Sequence, residues 1–477
     1  MLRAIYNKLA AVIAVGLLSS VTTQGAAVNT LYAFTGGADG AAPASGVIQG
    51  SDGNLYGTTP NGGASGFGLI FKMGLSGGVT DVYSFANGSD GGGPGGPLVQ
   101  ATNGNFYGAT QSGGANNNGT LYELILPNTI IPFYSFSAGG LDSGSQLVTN
   151  SDGVSPVCGL VQGSDGNFYG TASGGGVAGY GTVFKITSGN TFSALYSFTN
   201  GADGATPLAG LVQGANGNFY GTTSAGGLNS FGTVFQITPA GQLNAFYSFA
   251  NGSDGAFPQA PLVRGSGGSL YGVAAGGGVN GNGTIFTISP SGQVAGLYSF
   301  GGMSQTIPDT NTDGASPMAL ALGSDANFYG TASQGGNNET GTLFRITPGG
   351  AFTALYSFTA LAPAILTNTD GAGPTGLIQA NNGIFYGTTS TGGAEGNGTV
   401  FDISFTLSLG ISLQYSGGQS VIQVSGLNGQ GAVVVDASTN LLQWTPIQTN
   451  ASATGQIQVV DSNAAHYPYR YYRARSQ

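Results

Sequence analysis

One short phrase, an apolar residue followed by tyrosine and glycine, occurs seven times along this chain and constrains its fold more than any other feature. A period of about 50 residues, built from short apolar runs and glycine turns, is typical of a β-propeller blade. The repeat therefore predicts an all-β fold with seven blades. The tyrosines are Tyr56, Tyr107, Tyr169, Tyr220, Tyr271, Tyr329 and Tyr386, at steps of 51, 62, 51, 51, 58 and 57 residues.

The fourth repeat indicates how one blade is built. Residues 210–214 predict a first strand, an Asn-Gly pair predicts a tight hairpin turn, and residues 219–223 predict a second strand. Residues 232–238 alternate with the period of two that marks a half-buried strand, and residues 245–249 supply a fourth strand. We therefore expect four antiparallel strands in each repeat.

The chain ends are expected to share one blade. The fourth-strand phrase also occurs seven times, but its first copy, at Tyr32, precedes the first complete repeat, and the last repeat lacks a good copy after Phe401. We expect the segment around Tyr32 to form the outer strand of the seventh blade, which closes the ring and hides edges that would otherwise aggregate. The alternative is that residues 405–409 form this strand.

Two further segments flank the repeats. Residues 1–27 have the pattern of a secretory signal peptide, with Arg3 and Lys8, an apolar stretch and then small residues that suit cleavage. An uncleaved anchor is the alternative. We assign residues 28–409 to the propeller and residues 410–477, whose apolar residues alternate over short runs, to a small β-sandwich-like module.

The composition restricts the expected partners. Charged residues make up 6% of the chain, against roughly a quarter in an ordinary soluble domain. Apart from the N-terminus, no apolar run approaches the roughly 20 residues that span a bilayer, so no membrane span is expected after signal cleavage. A net charge of −10 repels nucleic acid. We expect a secreted or cell-surface monomer whose partner is an extracellular polysaccharide or protein.

The repeats differ in length in only one class of loop, between the fourth strand and a repeated Asp-Gly pair. The interval from the fourth-strand phenylalanine to that aspartate is 5 residues in four repeats, but 16, 13 and 12 residues after Phe136, Phe300 and Phe358. This loop is expected to share a face with the glycine-rich loop between the second and third strands. Insertions on one face predict a ligand there, and neutral drift in exposed loops is the alternative.

Two sets of side chains on this face are candidate ligand-binding residues. Aromatic residues at one position of three glycine-rich loops suit contact with sugar or peptide, unless they pack across the loop base. Acids outside the repeated positions suit hydrolysis by a carboxylate pair, unless they are isolated and solvated. The aromatic set is Phe67, Tyr180 and Phe231, and the acidic set is Asp142, Asp309, Glu339 and Glu395.

The aspartates of the Asp-Gly pairs are candidate calcium ligands, because carboxylates suit that ion. The alternative is that each aspartate caps a turn, since one carboxylate in each repeat supplies only a single charge. No other cofactor is expected, and no catalytic residue is assigned, because the single histidine, His466, lies outside the repeats. The seven are Asp39, Asp90, Asp152, Asp203, Asp254, Asp313 and Asp370.

The repeated phrases between residues 30 and 404 resemble the GloVer tandem repeat of secreted bacterial proteins. They are Leu-Val-Gln-Gly, Asp-Gly-Asn-Phe-Tyr-Gly-Thr, Gly-Thr-Val-Phe-Lys-Ile and Leu-Tyr-Ser-Phe. The resemblance implies an exported protein and brings no established catalytic residues. We therefore expect a non-enzymatic scaffold that binds through the face with the long loops. The alternatives are a hydrolase or lyase that acts on polysaccharide from that face, and a structural envelope protein.

Overall fold

The structure is a computed structural model that describes residues 26–303, 310–405, 410–416, 419–428, 433–440, 442–450, 454–466 and 470–476. Most of the predicted signal peptide, residues 1–25, and the candidate Asp309 lie outside the described residues. The described chain is all-β, with helical geometry only in the 3-10 turns Ser266–Gly268 and Ala464–His466. None of its helices has the length and apolar character that a membrane crossing requires.

Seven four-stranded sheets account for the repeats. The strands of sheets 1 to 6 follow one another in chain order and pair antiparallel, as in propeller blades. Sheet 1 contains β2 (Ile48–Gln49), β3 (Leu55–Thr59), β4 (Leu69–Gly74) and β5 (Gly77–Ser84). Sheet 2 contains β6 (Val99–Gln100), β7 (Phe106–Thr110), β8 (Thr120–Ile125) and β9 (Thr129–Ser135). A short hairpin, β10 (Gly140–Leu141) and β11 (Val148–Thr149), follows sheet 2.

The next three sheets have the same arrangement. Sheet 3 contains β12 (Val161–Gln162), β13 (Phe168–Ala172), β14 (Thr182–Ile186) and β15 (Phe192–Ser197). Sheet 4 contains β16 (Val212–Gln213), β17 (Phe219–Thr223), β18 (Thr233–Ile237) and β19 (Leu243–Ser248). Sheet 5 contains β20 (Val263–Arg264), β21 (Leu270–Ala274), β22 (Thr284–Ile288) and β23 (Val294–Ser299).

The last two sheets have longer first strands, and the seventh takes a strand from the start of the chain. Sheet 6 contains β24 (Ala315–Leu322), β25 (Phe328–Gln334), β26 (Thr342–Ile346) and β27 (Phe352–Ser357). Sheet 7 contains β28 (Ala372–Gln379), β29 (Phe385–Thr391) and β30 (Thr399–Phe405), with β1 (Ala26–Ala33) beside β30.

A separate small unit includes residues 404–477 and contains two three-stranded sheets. One has β32 (Gln419–Asn428) between β31 (Gly410–Ser416) and β35 (Thr454–Asp461). The other has β33 (Val433–Ser438) between β34 (Thr445–Asn450) and β36 (Tyr471–Ser476). Their buried apolar side chains form one cluster, namely Ile422, Val424, Val433, Val435 and Val459.

The repeated tyrosine-glycine phrase has a packing explanation. Gly221 on β17 lies opposite Phe235 on β18, and a Cβ atom built on Gly221 would lie 2.6 Å from Cζ of Phe235. Glycine is therefore needed for the phenylalanine ring to lie across the second strand. The same glycine-aromatic pairing occurs in every repeat, as Gly57–Phe71, Gly108–Tyr122, Gly170–Phe184, Gly221–Phe235, Gly272–Phe286, Gly330–Phe344 and Gly387–Phe401.

Consecutive sheets are joined by a second set of aromatic contacts. The phenylalanine after each outermost strand packs edge-on or tilted against the third-strand aromatic ring of the next sheet, with ring centroids 5.2 to 5.6 Å apart. One of these contacts links Phe34, which follows β1 of sheet 7, to Phe71 of sheet 1. Such ring pairs add to the stabilisation from burial alone.

Candidate functional site

The Asp-Gly loops and the glycine-rich loops lie at the same end of each sheet, which we call the loop face. In sheet 4, the N–H of Ala205, just after the Asp-Gly pair, donates to the carbonyl of Ala225 in the glycine-rich loop over 2.8 Å. Equivalent bonds hold Ala41, Gly92, Val154 and Ala256. In sheets 6 and 7 the same pairing has become part of the strand ladders. The lengthened loops therefore belong to this face.

Consecutive sheets are also hydrogen-bonded to each other at the loop face. The residue after each of these loop positions donates its N–H to a carbonyl in the glycine-rich loop of the preceding sheet, as Thr206 does to Tyr180 over 2.9 Å. Each donor residue has a positive φ of 52° to 64°. The seven bonds are Ala42–Asn397, Gly93–Phe67, Ser155–Asn118, Thr206–Tyr180, Phe257–Phe231, Ser316–Asn282 and Gly373–Thr340.

The seven Asp-Gly aspartates each accept hydrogen bonds from the tyrosine hydroxyl of the neighbouring fourth strand and from the backbone N–H of the residue directly after the fourth-strand phenylalanine. Asp203, for example, accepts from the Tyr196 hydroxyl over 3.2 Å and from the Thr199 N–H over 2.8 Å. Burial, followed by the hydrogen bond to the aspartate and its charge, raises the pKa of Tyr32 and of Tyr247 to about 12.

The aspartate side chains thus belong to separate loops. Among the described residues, no group of three or more histidine, cysteine, aspartate or glutamate side chains is arranged to hold a metal ion. The aspartates that follow the three long loops, Asp152, Asp313 and Asp370, are buried, whereas the other four are only half-buried. The aspartate is therefore more deeply buried in the three repeats with a long loop than in the four with a short one.

The three candidate aromatic residues occupy the acceptor position of the inter-sheet bonds. Phe67 is 41% exposed, whereas Tyr180 and Phe231 are half-buried and pack at the edge of apolar clusters. The ring of Phe231 lies against that of Phe257 with centroids 5.6 Å apart, and Phe257 is 40% exposed. The sequence analysis missed Phe257, although it is the only aromatic residue at its repeat position.

The described candidate acids are not brought together. Asp142 caps the turn of the β10–β11 hairpin, and bonds from Ser145 and Gly144 lower the pKa of its carboxyl group. Glu339 and Glu395 lie exposed in the glycine-rich loops of sheets 6 and 7. The three residues therefore occupy three different loops, and no carboxylate pair forms among them.

Three exposed apolar side chains form a row that the sequence analysis also missed. Each directly follows the Gly-Gly pair of the glycine-rich loop in sheets 3, 4 and 5. Val177, Leu228 and Val279 are 78%, 79% and 77% exposed, while the other sheets have Ala or Asn there. The repeat alignment contained this signal, because apolar residues at an exposed loop position are unusual.

A cleft of about 500 Å³ opens between the outermost strands of sheets 5 and 6. Tyr298 and Phe352 stack in its wall with ring centroids 4.0 Å apart and nearly parallel planes. The described polar lining comes from residues 301–302 and 311–313, on the two ends of the long loop that precedes sheet 6. Its lining residues are Tyr298, Gly301, Gly302, Asn311, Thr312, Asp313, Phe352 and Ala354.

Asp313 in this cleft differs from its six counterparts. Its Oδ2 atom accepts from the Tyr298 hydroxyl and the Gly301 N–H, each over 2.7 Å, but no described residue donates to Oδ1. In the six other copies Oδ1 accepts a hydrogen bond from a Ser or Thr hydroxyl, a glycine N–H, or both. Asp313 is buried, with only 8% of the residue exposed, and its Oδ1 atom is an acceptor without a donor among the described residues.

Gly301 contributes to this difference, because it lacks the hydroxyl that Ser137 and Thr359 donate in the other two long-loop copies. In the two copies with alanine, a glycine N–H of the short loop donates to Oδ1 instead. The residue that follows the fourth-strand phenylalanine is Thr, Ala, Ser, Thr, Ala and Thr in the other copies, and only this copy has glycine. A Cβ atom on Gly301 would lie 3.0 Å from Oδ1 of Asp313. Comparison of the repeats would have marked residue 301 as unusual, but not the cleft beside it.

Solved structures with a similar arrangement of strands share little sequence with this chain. A Bacteroides uniformis protein, provisionally a 6-phosphogluconolactonase, is 14% identical over 85% of this chain and 99% of its own, with a TM-score of 0.47. The aldose sugar dehydrogenase of Streptomyces coelicolor is 13% identical over 66% of this chain and 94% of its own, with a TM-score of 0.40.

The third structure is PorZ, a surface component of the type-IX secretion system of Porphyromonas gingivalis. It is 13% identical over 89% of this chain and 58% of its own, with a TM-score of 0.43. With every TM-score below 0.5, these likenesses assign no activity to this chain. A comparison with curated proteins found no match.

The profile of one repeat family matches the sequence three times, over residues 13–154, 133–312 and 309–457. These matches include all seven tyrosine-glycine phrases and confirm the resemblance inferred from them. The chain belongs to the Gloeobacter/Verrucomicrobia repeat family.

Proposed function

We propose that this is an exported bacterial protein whose seven sheets form a closed seven-bladed β-propeller and bind an extracellular polysaccharide or protein through the loop face. The observation that carries the proposal is the cleft beside Asp313, which joins an open carboxylate oxygen to an aromatic wall. Exposed Phe67 and Phe257 on the same face add to the surface available for contact. The signal-like residues 1–27 and the repeat family support export.

Three contacts between sheets 7 and 1 support closure of the ring. The Ala42 N–H donates to the Asn397 carbonyl over 2.8 Å, and the Asn381 N–H donates to the Gln49 side chain over 2.7 Å. The Thr388 hydroxyl donates to the Ser45 carbonyl over 2.9 Å. Each bond repeats a contact made elsewhere between consecutive sheets, such as Thr206–Tyr180 for the first.

Binding is better supported than catalysis by the chemistry of the cleft. Hydrolysis of a glycosidic bond by a carboxylate pair requires a second acid about 5–10 Å from the first. Among the described residues that line the cleft, Asp313 is the only carboxylate. A binding site requires no second acid, so binding is the function that these residues support best.

We infer that the Asp-Gly aspartates stabilise loops and that the protein needs no cofactor. Each of these carboxylates already accepts a tyrosine hydroxyl and a backbone N–H, as Asp39 does from Tyr32 and Thr35. Calcium binding at these aspartates is the alternative, and it would require these bonds to be exchanged for metal contacts.

The test is binding of the exported full-length protein to a glycan array and to insoluble polysaccharides, with calcium or with a chelator. We expect retention on at least one glycan class, equal in both conditions, and no release of reducing sugar. Reducing-sugar release would favour the hydrolase, and retention only with calcium would favour the metal site. Failure to bind any glycan or envelope protein would favour a purely structural role.

A further inference from the structure

The open oxygen of Asp313 makes the cleft a place where a donor is missing. A buried acceptor that is left without a hydrogen bond costs free energy, and the cost is larger when the group is charged. In the other six loops, the chain itself supplies a donor to Oδ1, such as the Ser137 hydroxyl to Asp152. At Asp313 none of the described residues does so, and this place is open to solvent or to a ligand.

The charge of Asp313 is also uncompensated by the described residues. None of the ion pairs in the described structure involves Asp313, and its two donors, Tyr298 and Gly301, are neutral. A cationic donor would satisfy the open oxygen and the charge together, and charge-assisted hydrogen bonds are roughly twice as strong as neutral ones. The net charge of −10 on the whole chain also attracts cations to its surface.

The shape and lining of the cleft indicate what carries the cation. About 500 Å³ lies in the usual range of small-ligand sites and exceeds what a narrow alkyl chain needs. Tyr298, Phe352 and Ala354 offer apolar contact, whereas Thr312 and the backbone at Gly302 are exposed and offer polar groups. A sugar ring has both C–H faces and hydroxyl groups, while a lysine side chain has no polar group before its ammonium.

We propose that this cleft binds the protonated amino group of an amino-sugar unit in an extracellular polysaccharide, with the ammonium donating to Oδ1 of Asp313. This inference rests on the proposed binding function and names the ligand class of that site. Gly301 determines the specificity, because any side chain there would occupy the space beside Oδ1.

The junction of sheets 2 and 3 provides an internal comparison. There, Tyr134 stacks on Phe192 with centroids 4.1 Å apart, much as Tyr298 stacks on Phe352, and the Tyr134 hydroxyl binds Asp152. The difference is Ser137, whose hydroxyl fills the position that Gly301 leaves open. Gly301→Ser should therefore convert the open site into the closed one with little effect on folding.

The test compares soluble oligomers of glucosamine, N-acetylglucosamine and glucose by titration calorimetry against the full exported protein. We expect the glucosamine oligomer to bind at least about tenfold more tightly than the other two, because only it carries the ammonium. Gly301→Ser and Asp313→Asn should each weaken that binding about tenfold or more. Ala250→Ser introduces a serine at the equivalent position beside Asp254, whose Oδ1 already accepts the Gly252 N–H, and should leave the binding unchanged.

Each other outcome has a distinct meaning. Equal binding of acetylated and free amino sugars, or full binding by both Gly301→Ser and Asp313→Asn, overturns the inference and leaves the binding function standing. Tighter binding of a lysine-rich peptide overturns the assignment to a sugar. A protein that retains no glycan and no envelope protein overturns the proposed function itself. Thermal melts of each variant separate lost binding from lost folding.

Discussion

Asp165 has a hydrogen-bond network whose contribution to the stability of the fold should depend on pH. It accepts from the Tyr169 hydroxyl over 2.7 Å and from the Asn167 amide over 2.6 Å, and it pairs with Lys185 over 3.2 Å. Burial alone would raise the pKa of this carboxyl group, but these bonds outweigh it and lower the pKa to about 2. The ionised form is therefore the one that the fold stabilises.

We predict that Asp165→Asn is less stable than wild type at neutral pH, by at most about 1 kcal/mol because the ion pair is partly exposed. The folded pKa lies below the unfolded one, so this stability is fully present above about pH 4 and is lost as the pH falls toward 2. The measurement is urea denaturation of both proteins between pH 2 and 7.

The matched control is Asn103→Asp at the same position of sheet 2. There, the neighbour is Glu123 and not a lysine, and Asn105 and the Tyr107 hydroxyl already donate to it. A second carboxylate beside Glu123 should destabilise the protein at neutral pH, and the loss should shrink on acidification. A constant difference across the pH range in both variants would contradict this account of the network.

At the scale of single residues, the sequence predicted the role of a side chain better than it predicted the hydrogen-bond partners of that side chain. It predicted that the Asp-Gly aspartates could cap turns, and each does accept a backbone N–H. It could not predict that Asp313 would keep an open oxygen, because that depends on whether a donor at residue 301 reaches across the loop. Such a hydrogen bond depends on the folded positions of two loop segments, which the propensities of single residues do not predict.

At the scale of strands, Gly221 shows how one missing side chain organises a sheet. The strand β17 is crossed by the Phe235 ring, and the Leu211 side chain also lies within 2.8 Å of a Cβ atom built on Gly221. We predict that Gly221→Ala lowers the free energy of unfolding by about 1–3 kcal/mol, as overpacking of a filled core does. The measurement is the midpoint of urea denaturation, with the dependence of the unfolding free energy on urea concentration unchanged between the two proteins.

The matched control is Gly140→Ala on β10. A Cβ atom there would have no neighbour within 4 Å, so the change should leave the midpoint within error. If Gly221→Ala were equally neutral, the packing explanation of the tyrosine-glycine phrase would be wrong.

The second and third strands were predicted most accurately because their apolar alternation reflects burial directly. Residues 219–223 coincide with β17, and residues 232–238 contain β18. The first strand is shorter than predicted, since only Val212 and Gln213 pair with β17. The β10–β11 hairpin was not predicted, because each strand has only two residues and carries no apolar alternation.

At the scale of the whole molecule, the proposed closure makes the first strand essential. We predict that deleting residues 28–35 from the exported protein lowers its thermal midpoint and causes aggregation over hours. The deletion removes the part of β1 that follows the signal peptide and the Phe34 ring that contacts Phe71, and it leaves β30 with an unpaired edge. The measurements are a thermal melt and light scattering.

Deletion of residues 139–149, the exposed hairpin after sheet 2, is the control of similar length. It removes β10 and β11, which pair only with each other, and should change the midpoint little. If the two deletions had equal effects, the ring would not depend on its first strand. The repeat count and the single long-loop class could be read from spacing alone, whereas the row of Val177, Leu228 and Val279 emerges only when consecutive repeats are compared.

The bonds between neighbouring loops join main-chain atoms to main-chain atoms, as Phe257 N–H does to the Phe231 carbonyl. The scaffold therefore places few demands on which side chains occupy those positions, and the seven copies indeed differ there. Evolution can in consequence exchange the chemistry displayed by one repeat without rebuilding its neighbours, so related chains with the same architecture are free to recognise different targets.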